Sequence, residues 1–442
     1  MTISSSLNAG VSGLSANATR LGTISDNIAN ASTMGYRRVE TDFYSVVMGG
    51  GGGTYTAGGV RASTQRLISE GGSIVGSSNA TDLAVRGGGF FPVARAAEVT
   101  GGAANPQMFL TSTGSFRPDA EGYLRTESGL MLMGWPADAN GNVPAFPRDT
   151  AAGLQPVQMA VNQLTAEPST NINLGVNLPS TEAQPGSTPT GPIPLTLEYY
   201  DAMGGSNSLT MTFTSAAPGT ANTWDAVIDD PDGNPIGSYR LTFDNTPGNG
   251  GALISVADTS GGLPGVPATD MLSVTVLDPV TAPASGPGDQ TLTINIGASG
   301  GSMGISQLGD TFAPLSIQRD GSQMGTMTNV EVDANGFVTA FFDNGTNRVI
   351  YQVPLADLPN PNGMRALDRQ TYLPTPESGG FVLWNAGTGP TGEIVAFARE
   401  ESATDVAGEL TDMIQTQRAY SSNAKVIQTV DEMLQETTNM KR

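Results

Sequence analysis

The chain has 442 residues, 20 basic and 41 acidic, and a net charge of −21, with neither cysteine nor histidine. Disulfides, thiolate metal sites and histidine general bases are therefore excluded, and a nucleic-acid partner is disfavoured by the charge. Charged residues make up only 14% and glycine numbers 57, a composition that suits a β-rich extracellular or structural protein.

The first apolar pattern comes at once. Leu7, Val11, Leu14, Ala18, Leu21, Ser25 and Ile28 step by four and three, the spacing of a coiled-coil seam, with Ile24 beside it. Through residue 36 the only charges are Arg20 and Asp26. Gly10, Gly13 and Gly22 each cost about 1 kcal/mol relative to alanine in a helix interior, so this segment is a poor helix alone and a better one when closely packed. It is expected to end near Asn30, a residue tolerant of the left-handed conformation.

Gly49 to Gly53 read as a loop without the Lys-Ser/Thr of a phosphate cradle. From Val60 to about Trp135, short alternating runs separated by Gly- and Asp-rich turns predict strands, Asp82-Leu83-Ala84-Val85-Arg86 among them. Residues 161–380 carry 5 basic and 21 acidic residues and should be the solvated part. Val330 to Gln352 reads as strands about turns at Asp333-Ala334-Asn335-Gly336 and Asp343-Asn344-Gly345.

The last forty residues answer the first thirty. Val406, Leu410, Met413, Gln417, Tyr420, Ala424, Ile427, Asp431 and Leu434 recur every three or four residues, and Ile414, Val426, Val430 and Met433 widen the stripe. Ser402-Ala403-Thr404-Asp405 has the form of a capping box, which predicts the helix start. The two ends are expected to pair, and the simplest reading is a helical hairpin closing a globular domain.

Three motifs that suggest chemistry do not carry it. Gly300-Gly301-Ser302-Met303-Gly304 matches a nucleophile elbow, but no histidine exists to complete the triad. Aligning Asp229 to Asn234 on a calcium loop puts Ile228 at its first position, and aligning Gly336 puts Phe342 where the bidentate glutamate belongs. Both are hairpin turns. No catalytic residue, cofactor or metal site is expected, no run is long enough to span a membrane, and no cleavable signal is visible.

Particular residues then resemble a known family. Ser12-Gly13-Leu14, Asp26-Asn27-Ile28-Ala29-Asn30 and Gly35-Tyr36-Arg37 resemble the N-terminal signature of flagellar rod and hook proteins. Asp82 to Val85 leading into Gly89-Phe90-Phe91, and Thr113 to Phe116 followed by Asp119 to Leu124, resemble its next blocks. Met413 to Tyr420 with Asn423-Ala424 resembles its C-terminal helix. In the middle, Leu195 to Asp201, Leu209 to Phe213, Trp224, Gly237 to Phe243 and Leu355 to Leu373 resemble the hook members rather than the shorter rod ones. Glu400 to Asp405 departs from the family's usual approach to the last helix.

The resemblance implies a multidomain axial protein, mixed and mainly β, with paired coiled-coil-like terminal helices and two or more β-rich domains. Expected divisions are a helical assembly domain (1–33 and 402–442), an inner β-rich domain (34–160 and 311–401) and an outer acidic one (161–310). It also implies a helical homopolymer of the bacterial flagellum outside the cell. The implied tube is flexible and curved, passing torque from motor and rod to filament as a universal joint. Rod, hook-cap and hook–filament junction proteins and the export apparatus are the implied partners, and no signal peptide is cleaved. The subunit interface is expected on Leu7, Val11, Leu14, Ala18, Leu21, Ile24 and Ile28 of the first helix. On the last it is expected on Val406, Leu410, Met413, Ile414, Gln417, Tyr420, Ala424, Ile427 and Leu434. A stiff distal-rod subunit, or a secreted β-rich adhesin, are the alternatives.

Overall fold

The computed structural model describes residues 3–47, 57–101, 106–138, 141–159, 164–216, 219–259, 267–268, 271–276, 290–297 and 304–440. The Gly49–Gly53 run and the first four residues of the Gly300–Gly304 motif lie outside them. The fold is mainly β with a long helix at each end, Ile3–Ala29 and Val406–Asn439. The chain divides into two compact units, one of residues 1–161, 328–341 and 347–442, the other of 162–327 and 342–346.

The first unit is closed by strands from both ends of the chain. An antiparallel path runs Phe337–Phe342, Asn347–Gln352, Leu130–Pro136, Phe91–Arg95, Met108–Thr111, Thr371–Leu373, Arg365–Leu367. Smaller sheets repeat the exchange. Glu393–Ala396 pairs with Asp82–Arg86, which pairs with Thr113–Ser115, while Ile74–Gly76 pairs with Ala398–Glu400. Phe90, Leu110, Trp135, Leu358, Tyr372 and Leu383 fill a core drawn from both sequence segments. Because neither segment supplies a whole sheet, the two chain ends leave the β unit as neighbours, which is the condition for the helices to meet.

The expected turns form. Gly336 (φ 85°), Gly345 (φ 83°) and Gly233 (φ 84°) sit in the left-handed region that glycine occupies without penalty. Asp333 accepts from the backbone N–H groups of Asn335 and Phe337, and Asp230 from those of Asp232 and Asn234. These aspartates serve their own turns.

In the second unit a five-stranded and a six-stranded sheet share one core. Ile193–Tyr200, Ser206–Ser215, Thr223–Asp229 and Pro235–Phe243 form an antiparallel meander in which inward and outward residues alternate. Its inward residues, with Trp224 and Phe213 fully buried, meet Ile172, Leu174 and Val176 of the strand Asn171–Leu178 in that core. The segment closes on itself at Asp320. That carboxylate accepts from the backbone N–H groups of Thr170 and Asn171 at 2.7 Å each and from the Thr170 hydroxyl at 2.6 Å. These bonds outweigh its partial burial and hold its pKa below the usual carboxylate range.

Of the two helix-end expectations, one needs correction. The C-terminal helix begins at Val406 with Asp405 as N-cap, its carboxylate accepting from the Ala407 N–H at 3.1 Å. Ser402 instead accepts from the Thr404 N–H, so the capping-box pattern placed the cap three residues early. The first helix ends at Ala29, as expected, and the Asn30 amide turns back to the Asp26 carbonyl at 2.9 Å.

Candidate assembly surface

The terminal helices pack antiparallel, with Gly10 against Ile427, Gly13 against Asn423, Arg20 paired with Asp412 at 3.4 Å and Asn27 with Glu409. Glycine allows the approach. A Cβ on Gly13 would lie 2.9 Å from Asn423 Nδ2, and one on Gly10 3.1 Å from Ile427 Cγ1. At both of these closest contacts one partner is therefore a glycine.

The lower end of this pair is a polar hub built from the two N-terminal motifs. Asn27 Nδ2 donates to the Val39 carbonyl at 2.9 Å and to Glu409 Oε1 at 3.0 Å, while its Oδ1 accepts from the Val39 N–H at 2.9 Å. The Tyr36 hydroxyl reaches Asp26 Oδ2 at 2.9 Å and Asn27 Oδ1 at 3.1 Å. Burial, then the bond to Asp26, push the Tyr36 phenol up to about 12, so it stays a donor. Glu409 is buried on the facing helix, with Arg38 Nε at 3.4 Å. Burial raises its pKa; the Asn27 amide and Arg38 oppose this without reversing it.

A second joint lies beside the hub. Arg37 and Glu400, both buried, form an ion pair at 2.9 Å, and Glu400 also accepts from the Gly72 N–H at 2.8 Å. Thus Gly35-Tyr36-Arg37 ties the end of the first helix to the strand that leads into the last one. The hairpin of Val39–Ser45 and Val60–Arg66 lies along the first helix. Thr23 and Thr41 hydroxyls meet at 2.8 Å, the Val60 N–H donates to Ser12 Oγ, and the Arg20 guanidinium sits over the Phe43 ring.

The helices pair, as the sequence predicts, but largely not through the apolar seam. Along the first helix the buried side is Gly10, Gly13, Ala16, Asn17, Ile24 and Asn27; along the last it is Glu409, Thr416 and Val430. Both runs fall one position before most of the apolar heptad positions, a rotation of about 100° around the helix. Ile24 is buried, whereas Leu7, Leu14, Leu21 and Ile28 are half-covered and Val11 (51%) and Ala18 are exposed. On the last helix Met413, Ala424 and Ile427 are half-buried. Val406, Leu410 (47%), Ile414 (52%), Gln417, Tyr420 and Leu434 are exposed. Hydropathy periodicity finds apolar stripes, so it missed a pairing face made of Gly, Asn, Thr and Glu. The one signal available was Gly10 with Gly13 on a helix that has little charge.

Among the described residues no cluster of His, Cys, Asp or Glu could hold a metal ion, and no helix is long and apolar enough to cross a membrane.

Comparison with known proteins agrees along the whole length. Residues 7–37 match the family described as flagella basal body rod protein. Residues 171–322 match the flagellar basal body protein FlaE D2 domain, and 398–440 the C-terminal family of flagellar basal body rod FlgEFG proteins. The flagellar hook protein FlgE of Brucella suis is 35% identical over 444 residues, covering 100% of both chains. That of Rhizobium meliloti is 33% identical with the same coverage. A crystal structure of Helicobacter pylori hook protein FlgE2 aligns over 75% of this chain and 99% of its own at 14% identity, with a TM-score of 0.41. Full-length similarity to hook proteins sets aside the distal-rod and adhesin readings, and the chain belongs to the flagellar hook protein family.

Proposed function

We propose that this hook subunit polymerises through the apolar stripe that its own helix pairing leaves uncovered. The observation that carries the reading is the offset between the two faces. Mainly polar and small residues, with Ile24, Ile427 and Val430, join the helices within one subunit, while Val11, Leu410, Ile414, Val426 and Met433 stay exposed on them. Apolar positions repeated at heptad spacing on a helix pair are costly in water and are covered when like pairs pack together. Leu7, Leu14, Ala18, Leu21, Ile28, Val406, Gln417, Tyr420 and Leu434, half-covered or exposed in the subunit, would add to these contacts.

In this reading, the packed helices form the inner wall of a tube, and the two-sheet acidic unit stands outermost and keeps its solvent. Tightly packed helix seams resist compression, whereas polar outer β surfaces slide as the tube bends in rotation, so torque passes to the filament through a universal joint. The protein does no chemistry; its working residues are contact residues. Rod, cap and junction proteins would meet the same helical seams at the tube's ends.

The test is Leu410→Asp combined with Ile414→Asp. Both side chains are exposed, so the monomer should keep its circular dichroism and melting profile, while tubes visible by electron microscopy disappear. Normal tubes from this variant would overturn the reading.

A further inference from the structure

On the β body of the first unit lies a cleft of about 870 Å³ lined by Arg66, Arg95, Phe109, Ser128, Asp368 and Arg369, among others. It is cationic in a protein of net charge −21. The Arg95 guanidinium lies 4.8 Å from the centre of the Phe109 ring, that of Arg66 5.1 Å from the centre of the Tyr36 ring, and Arg369 donates to the Ser128 carbonyl at 3.1 Å. Among the described residues none of these three arginines has a carboxylate within ion-pair distance. Arg66 also donates to the Arg37 carbonyl at 2.9 Å; aromatic faces and two carbonyls thus hold the guanidinium groups in place and leave other N–H groups over for an anion. Asp368 supplies one negative charge against three positive ones.

We infer that this cleft is an interaction surface for a carboxylate-bearing segment of a second copy of the chain. Charge complementarity chooses the occupant. Residues 162–327 hold 15 acidic residues and only two basic ones, Arg240 and Arg319. Both of those are already engaged, Arg240 with Asp225 and Arg319 with Glu198. Most of that acidic surface therefore has no basic group of its own segment to face. Arginine is suited to carboxylate capture because its planar fork can donate two parallel hydrogen bonds. In a polymer of identical subunits, such a contact would add a polar, salt-sensitive joint to the helical seams. It rests on self-assembly, but not on which helix face mediates it.

The experiment uses the near-absence of lysine. Lys425 and Lys441 are the only two, both in the last stretch of the chain. Arg95→Lys and Arg369→Lys, made singly, each place an amine at the cleft with its charge retained. Tubes assembled from equal amounts of ¹⁴N- and ¹⁵N-labelled protein are treated with a water-soluble carbodiimide, which joins amines to carboxylates in direct contact. The expected result is a mixed-isotope cross-link from position 95 or 369 to an aspartate or glutamate within 162–327, absent from unassembled protein. The double reversal Arg95→Glu with Arg369→Glu should then raise the concentration needed for tubes by roughly tenfold, because like charges are brought face to face. Tubes that form and give only same-copy links, links to Asp368 alone, or none from the introduced amines would overturn the inference. Failure of the unaltered protein to form tubes would instead count against self-assembly itself.

Discussion

Asn27 and Glu409, 382 residues apart in sequence, are joined by a hydrogen bond of 3.0 Å that is buried between the two terminal helices. Asn27 also bonds both backbone groups of Val39 and accepts from the Tyr36 hydroxyl, so one side chain fixes the helix pair and the start of the hairpin together. Glu409 shows what this costs. Its carboxyl is held above the ordinary range by burial, so the folded state binds a proton more readily than the unfolded one. Stability therefore falls as pH rises from the ordinary carboxylate range through the raised value. The helix pair should melt at higher temperature near pH 5 than near pH 8, and Glu409→Gln should flatten that slope. Circular dichroism at 222 nm across this range is the measurement; an unchanged slope in the variant would locate the titration elsewhere. Asn27→Leu, which removes the donor and leaves the carboxylate buried, should cost about 1–3 kcal/mol.

The glycines of the first helix should separate by position. A Cβ added at Gly22 would meet nothing within 4 Å, so Gly22→Ala should stabilise the isolated subunit by about 1 kcal/mol through helix propensity alone. Gly13→Val should do the opposite, because its added atoms enter the space of the Asn423 amide. Thermal melts of both variants decide this. A stabilising Gly13→Val would mean that the helices are not held at this separation.

Much of this was legible in the sequence. Asp333-Ala334-Asn335-Gly336 and Asp343-Asn344-Gly345 announce their turns because glycine is needed at a positive φ and Asx side chains cap nearby backbone, Asp333 in the first turn and Asn344, which accepts from the Thr346 N–H, in the second. Both long helices announce themselves by period. What could not be read was which side of each helix faces the other. Gly10, Asn27 and Glu409 carry no hydropathy signal, and each makes sense only beside a partner hundreds of residues away. The same holds for Glu400. In sequence it belongs to a departure from the family's usual approach to the last helix, and in space it is the buried counter-ion of Arg37.

That pair makes a sharper prediction than its charge alone. Arg37→Met should destabilise the first unit by about 3–5 kcal/mol, since it strands the Glu400 carboxylate in a buried site. Arg37→Met with Glu400→Met should recover part of the loss, because two apolar side chains leave no buried charge, although the Gly72 N–H loses its acceptor. Urea unfolding of the single and double variants measures the difference. A double variant worse than the sum of the singles would mean that the pair's charges are not what stabilises this joint.

The last prediction concerns the acidic unit. If it tunes curvature and the helices hold the tube, then a chain lacking most of it should still polymerise. The closure at Asp320 shows where to cut. The Asp320 N–H donates to the Asn171 carbonyl at 3.1 Å, and its carboxylate holds Thr170 and Asn171 from the other side. Residues 171 and 320 are thus already in contact, and removing 172–319 with a short Gly/Ser bridge demands no stretching of what remains. Because Asp320 is held below the usual carboxylate range, its contribution to this closure is present at neutral pH and is lost only as pH falls through that lowered value. Assembly of the shortened chain should therefore be compared with that of the full chain at neutral pH. Tubes are expected in both, with curvature lost or changed in the shortened one, since bending requires contacts at the largest radius to differ around the circumference. A shortened protein that folds, by its melting transition, yet forms no tube would make the acidic segment an assembly determinant. The loss of its carboxylates from the arginine cleft would then be the first place to look, since Arg95→Glu with Arg369→Glu in the full chain should weaken assembly in the same direction.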